Sequence, residues 1–140
     1  MNATEVILRA HDAIYQRTDG RFGHHMIGVP CLMLRTTGRR SGQQRTNSLV
    51  YARDGDDYLV VASVGGRPQP PAWLFNLRAN PDVEIQVGRE RKPVRAREVG
   101  HSDPDFERLW KLTNDGNHGR YYEYQKKTSR EIPVVVLSPR

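Results

Sequence analysis

Asp54-Gly55, set between an apolar run that ends at Arg53 and another that starts at Tyr58, is the feature that most restricts how this chain can fold. An Asp-Gly pair readily takes the left-handed backbone of a tight hairpin turn, whose twist matches that of the flanking strands. The middle of the chain is therefore predicted to pair antiparallel. The strand after the turn, residues 58–63, contains Leu59-Val60-Val61-Ala62 without alternation, the pattern of a strand covered on both faces. It runs into a second glycine turn, Ser63-Val64-Gly65-Gly66.

The same punctuation continues on both sides. Residues 29–35 read as a strand entering a basic loop and residues 48–53 as a strand leaving it. Val83, Ile85 and Val87 alternate with Asp82, Glu84 and Gln86, and beyond Gly88-Arg89 an extended run over residues 92–99 predicts a further hairpin. Residues 132–137 predict a last strand, with Pro133 at an edge or at the strand's beginning. Four helical stretches lie between. Val6, Ile7, Ala10, Ala13 and Ile14 predict a helix over residues 4–16, with Thr4 as N-cap. Residues 70–80 predict a helix opened by proline and closed by Asn80-Pro81. It is apolar nearly all round and hence buried, so Asn76 within it needs a hydrogen-bond partner, backbone or ligand. A third starts at Ser102, with Asp105 completing a capping box, carries Phe106, Leu109, Trp110 and Thr113 on one face, and stops at Asn114-Asp115-Gly116-Asn117. A short helical turn follows over residues 121–127. With 140 residues, no repeat and no linker, the chain is expected to form one α+β domain over residues 1–140, with 1–28 as its N-terminal helix and connecting segment.

Function enters through the loop Arg35-Thr36-Thr37-Gly38-Arg39-Arg40-Ser41-Gly42-Gln43-Gln44-Arg45-Thr46-Asn47. Glycine lets backbone N–H groups approach a ligand, and guanidinium groups offer forked, permanently charged donors that match phosphate and carboxylate oxygens. A solvated basic hairpin would look the same locally. The spacing lacks the lysine of a P-loop, and no G-x-G-x-x-G follows a strand, which excludes P-loop NTPases and Rossmann domains. A formal net charge of +6 calls for an anionic partner. Nucleic acid, an acidic membrane surface touched peripherally and a phosphorylated small molecule all satisfy it. The apolar runs are far too short to span a bilayer, and residues 1–5 show neither a basic nor an apolar leader pattern, so a cytoplasmic protein is expected. Cys31, the single cysteine, reads as a buried strand residue, and His24-His25 has no companion ligands, so no metal is expected. The sequence sets no oligomeric state.

In order, Thr37-Gly38-Arg39-Arg40-Ser41-Gly42, Arg45-Thr46-Asn47, Ala62-Ser63-Val64-Gly65-Gly66, Pro71-Ala72-Trp73, Asn76-Leu77, Asn80-Pro81, Tyr124-Gln125 and Arg130-Glu131-Ile132-Pro133 resemble the deazaflavin-dependent nitroreductase family. The resemblance runs from about residue 29 to the end. It implies a split β-barrel, related to flavin-mononucleotide-binding barrels, that holds coenzyme F-420, with FMN as the alternative ligand. It further implies that Arg39, Arg40, Ser41 and Arg45 grip the phosphate and the carboxylates of the tail. Thr46, Asn47, Ser48, Leu49 and Val50 would line the ribityl and ring side. Val61, Ala62, Ser63, Val64, Gly65 and Gly66 would offer backbone donors to the ring, and Ala72, Trp73, Leu74, Phe75 and Asn76 would close the pocket. The chain departs from the resemblance at Val64, where many relatives carry lysine.

A protein of that kind moves a hydride from the reduced deazaflavin to an electron-poor alkene, quinone or nitro compound, and the cofactor carries the chemistry. Tyr124 or Tyr121 is the expected proton donor or stacking residue. Both could equally cover the barrel mouth, and Trp73 could belong to the core instead of the cofactor wall. A non-catalytic binder of the same coenzyme or another flavin remains open beside the reductase. A nucleic-acid-binding barrel is disfavoured because the aromatics are grouped away from the arginines.

Overall fold

The computed structural model describes residues 29–140. The expected helix over residues 4–16 and the His24-His25 pair lie outside the described residues. Within them the chain runs β1 (Cys31–Thr37), β2 (Gln44–Val50), β3 (Ala52–Asp54), β4 (Asp57–Val61), α1 (Ala72–Ala79), β5 (Asp82–Val87), β6 (Glu90–Val99), α2 (Phe106–Asp115), α3 (Arg120–Lys126) and β7 (Val134–Pro139). The strands make one antiparallel sheet in the order β2-β1-β5-β6-β7-β4-β3.

That order forces the sheet to curl. β2 and β3 lie at opposite edges, yet Tyr51 alone joins them, and two peptide units reach no further than about 7 Å. The edges are thereby drawn together into a half-barrel. At the seam the Tyr51 N–H donates to Pro30 O at 3.1 Å, and the Tyr51 ring meets Tyr58 edge-on at 5.4 Å. Lys92 Nζ donates to the Tyr58 hydroxyl at 3.0 Å, and the Arg53 guanidinium lies 4.0 Å over the Tyr58 ring. The strand expected over residues 48–53 is thus two strands. β2 begins earlier, at Gln44, and the chain changes edges at Tyr51.

Side-chain alternation explains the continuous apolar runs. Tyr58, Val60 and Ala62 join Leu32, Leu34, Ile85, Val94, Val135 and Leu137 inside the curl. Leu59, Val61, Val134 and Val136 face the other way, under Phe106, Leu109 and Tyr121 of α2 and α3. A strand with core on both sides has no polar face. β7 is one of these, flanked by β6 and β4, so Pro133 stands just before the strand and not at an edge. α1 plugs the open side of the curl with Trp73, Leu74 and Leu77. Trp73 is 5% exposed, which makes it a core residue of the barrel.

The capping box expected from Ser102 to Asp105 does not form. α2 starts at Phe106 with Asp105 itself at the N-cap, and Asp103 turns back to accept the Asp105 N–H at 2.9 Å. Arg97 holds the other oxygen of Asp103 at 3.2 Å. Asn114 joins α2 to α3: its side chain donates to Trp110 O at 2.9 Å and accepts the Tyr122 N–H at 2.9 Å. No helix of the described residues is long and apolar enough to cross a membrane.

Candidate active site

The basic loop connects β1 to β2 and is closed by its own backbone. Gly38 N–H donates to Gln43 O at 2.7 Å and Gly42 N–H to Gly38 O at 2.9 Å. Ser41 Oγ accepts the Gln43 N–H at 3.2 Å, and Gly42 bends with φ of 71°. The loop is also anchored from below. Asn76, 4% exposed on α1, accepts the Arg39 N–H at 3.1 Å and donates to the buried Thr36 hydroxyl at 3.2 Å. The partner that a buried asparagine requires is therefore this loop. Asn76 shapes the cradle from within the barrel.

Arg39, Arg40 and Arg45 are exposed, and no carboxylate among the described residues pairs with any of them. Elsewhere several arginines on the sheet and helices are paired with carboxylates: Arg35 with Glu84, Arg78 with Glu98, Arg95 with Asp82, Arg97 with Asp103 and Arg108 with Asp54. Arg39 lies 5.0 Å over the Phe75 ring, which directs its charge along the start of α1. Three guanidinium groups left uncompensated on one closed loop form a cluster that suits a polyanion.

β2 leads out of the loop, and its register decides which of its residues share a face. Leu49 is opposite Leu32 and Asn47 opposite Leu34, so Arg45, Asn47 and Leu49 are turned to the same side as the barrel interior. Thr46, Ser48 and Val50 share the other side. A single ligand contacts one set along a strand and not all six residues in succession.

The second half of the site is the turn after β4. Val61, Ala62 and Ser63 are buried, and the chain then makes a single tight helical turn at Val64–Gly66. Val64, Gly65 and Gly66 all have positive φ, at 44°, 63° and 83°. For a β-branched residue such as Val64 that backbone is strained, and its side chain is exposed. Gly66 has no alternative: a Cβ there would stand 2.5 Å from Tyr124 O. α3 is thus pressed onto the turn at Tyr124. No hydrogen bond from the N–H groups of Ser63, Val64 or Gly65 is found among the described residues. Such a row of free donors fits a ligand carbonyl or oxyanion edge.

The two tyrosines separate here. Tyr121 is 5% exposed, packed 6.3 Å from Trp110 and 6.1 Å from Tyr124. Burial pushes its hydroxyl well above the usual phenol range, against the opposing hydrogen bond to Asn117. Tyr124 is half-buried beside the turn, with the Lys127 ammonium 5.8 Å from its ring. Of the closing segment, Ala72 is exposed, Phe75 half-buried, and Trp73 and Leu74 are in the barrel core. In the sequence Arg130 stands out only as part of the string Arg130-Glu131-Ile132-Pro133. It donates to Ala62 O, Ser63 O and Arg67 O at 3.0, 2.8 and 2.9 Å. Nothing local in the sequence predicts a contact spanning more than sixty residues. Among the described residues no group of three or more His, Cys, Asp or Glu could hold a metal.

The model of the F420H(2)-dependent quinone reductase family matches residues 7–139. The F420H(2)-dependent quinone reductase Rv1261c of Mycobacterium tuberculosis (strain ATCC 25618 / H37Rv) is 57% identical over 135 residues, covering 96% of this chain and 91% of that protein. Among solved structures, an F420-H2 dependent reductase (FDR-A) superposes with a TM-score of 0.70 at 39% identity, over 78% of this chain and 94% of that one. A structure described as a domain-swapped dimer superposes with a TM-score of 0.72 at 34% identity, over 98% of this chain and 100% of that one. The curled sheet is a split β-barrel, and the chain belongs to the F420H(2)-dependent quinone reductase family.

Proposed function

We propose that this protein binds coenzyme F-420 across the basic loop and the turn at Val64–Gly66 and uses it to reduce a quinone or a similarly electron-poor small molecule. The observation that carries the reading is the set of three guanidinium groups, on Arg39, Arg40 and Arg45, with no carboxylate partner among the described residues. When bound in its reduced form, the deazaflavin supplies a hydride. Arg39, Arg40 and Arg45 hold the phosphate and tail carboxylates, with Ser41 beside them, and Asn76 keeps the Arg39 backbone in place. Alternate residues of β2, Thr46, Ser48 and Val50 or Asn47 and Leu49, line the middle of the ligand. The free N–H groups of residues 63–65 hold the edge of the ring, while Ala72 and Phe75 close the cradle.

Reducing a quinone to a hydroquinone takes one hydride and one proton. Tyr124 gives the proton, because its ring borders the turn and is partly open to solvent, whereas Tyr121 is buried against Trp110. A cytoplasmic location, a single domain over residues 1–140 and the absence of a nucleic-acid role belong to the same proposal. FMN, which offers the loop a phosphate but no tail carboxylates, engages only part of the arginine cluster and binds less tightly.

The test combines affinity with rate. Tyr124→Phe keeps the ring, so F-420 affinity by fluorescence titration is expected to stay within twofold of the parent. Quinone reduction is expected to fall about 10²–10⁴-fold. An unchanged rate reassigns Tyr124 to packing, and a parent that binds F-420 but reduces no quinone, activated alkene or nitro compound turns the protein into a binder.

A further inference from the structure

Arg130 reaches from the segment before β7 to the turn that follows β4. Nε donates to Arg67 O at 2.9 Å, and Nη2 donates to both Ala62 O at 3.0 Å and Ser63 O at 2.8 Å. Its own backbone is pinned to α3. Gln125 Nε2 donates to Arg130 O at 2.7 Å, Gln125 Oε1 accepts the Ile132 N–H at 2.9 Å, and the Arg130 N–H donates to Thr128 Oγ1 at 3.3 Å. Gln125 is the neighbour of Tyr124, so one side chain ties the tyrosine helix to the arginine that holds the turn.

The charge of Arg130 is not neutralised. No carboxylate among the described residues pairs with it, and its Nη1 is buried without a hydrogen-bond partner. Burial pushes its pKa below the usual guanidinium value, as expected for a desolvated cation. What faces the cation instead are carbonyl oxygens. Ala62 O belongs to the same peptide unit as the Ser63 N–H, and Ser63 O to the same unit as the Val64 N–H. A cation bonded to the oxygen end of a peptide draws electron density toward itself and makes the N–H at the other end a stronger donor. Those two N–H groups are among the three left free beside the cradle, and Val64 brings no charge of its own.

We propose that Arg130 is a positioning residue that fixes the turn at residues 62–67 and polarises the Ser63 and Val64 N–H groups toward the ring of the bound deazaflavin. The proposal rests on the deazaflavin reading of the site. Arg130 touches no reacting atom; it acts through two peptide groups, and it links them through Gln125 to the helix of Tyr124.

The experiment compares the full chain with Arg130→Met and Arg130→Lys. It reads F-420 affinity by fluorescence quenching, the absorption band of the bound oxidised cofactor, and Tm. Arg130→Met is expected to bind about 10- to 100-fold more weakly, with its bound band displaced toward that of the free cofactor. Arg130→Lys, which keeps a charge but not the three-carbonyl grip, is expected to fall between. A folded Arg130→Met with parental affinity and band overturns the proposal. Weaker binding with an unmoved band also overturns it, leaving Arg130 as a structural brace. If Arg130→Met does not fold, Arg130→Lys decides, and parental affinity and band in that variant overturn the proposal. A parent chain that does not quench F-420 refutes the cofactor reading itself, an outcome distinct from any change between variants.

Discussion

Replacing Asn76 by leucine, of similar volume, removes the side chain that hydrogen-bonds the barrel plug to the basic loop. Two hydrogen bonds disappear, from Asn76 to the Thr36 hydroxyl at 3.2 Å and from the Arg39 N–H to Asn76 at 3.1 Å. Each contributes about 1 kcal/mol net, and leaving the Thr36 hydroxyl buried without its donor adds a desolvation cost of similar size. Extra apolar burial by the leucine offsets part of this, for a net loss of about 2 kcal/mol. For a chain of this length that corresponds to a fall in Tm of about 6–10 °C, read by circular dichroism or calorimetry. The loop keeps all its arginines but loses the anchor under Arg39, so F-420 affinity is expected to drop several-fold in the same variant. Thr36→Val removes one of the two bonds and is expected to cost about half as much. The double variant should cost less than the sum of the two, because the side chains share a bond. An Asn76→Leu protein that melts within about 1 °C of the parent would refute the argument. It would mean that the loop holds its shape through Gly38, Ser41 and Gln43 alone.

Arg40→Ala and Arg45→Ala should each weaken F-420 binding by about 1.5–3 kcal/mol and flatten its salt dependence, and parental affinity in both would make the loop a solvated hairpin. Gly66→Ala is expected to destabilise the fold by more than about 1 kcal/mol in urea melts. Its φ is 83° and its new Cβ would meet Tyr124 O at 2.5 Å, so a neutral result would show that α3 is free to move off the turn. The raised hydroxyl pKa of Tyr121 favours the protonated phenol in the folded state. Its stabilisation is complete below about pH 10, where the unfolded tyrosine starts to ionise, and is lost as the pH rises further. Tyr121→Phe should therefore lose less stability than the parent between about pH 9.5 and 11 in denaturant melts, and parallel slopes would remove that assignment.

Local sequence determined the parts whose signals are local. The hairpin at Asp54-Gly55, the two-sided burial of β4, the short buried helix after Pro71 and the glycine-bent arginine loop are each dictated by neighbours within a few residues, because turn chemistry and side-chain period act at that range. The ordered motifs also led to the family and its cofactor. What tertiary structure decided depends on contacts between distant segments. The sequence pattern of residues 48–53 fits one strand, and only the sheet order splits it at Tyr51, since β2 pairs with β1 and β3 with β4. Asn76 was legible as a buried amide in need of a partner, but not that the partner would be the Arg39 backbone, because that depends on how α1 seats in the curl. The capping box gave way to Asp103 because Arg97, from the neighbouring strand, holds that carboxylate in place. Arg130 shows the limit most plainly. An arginine in a short loop carries no mark of its target, and its three carbonyl partners come within reach only when β7 lies beside β4 and α3 settles on Gly66.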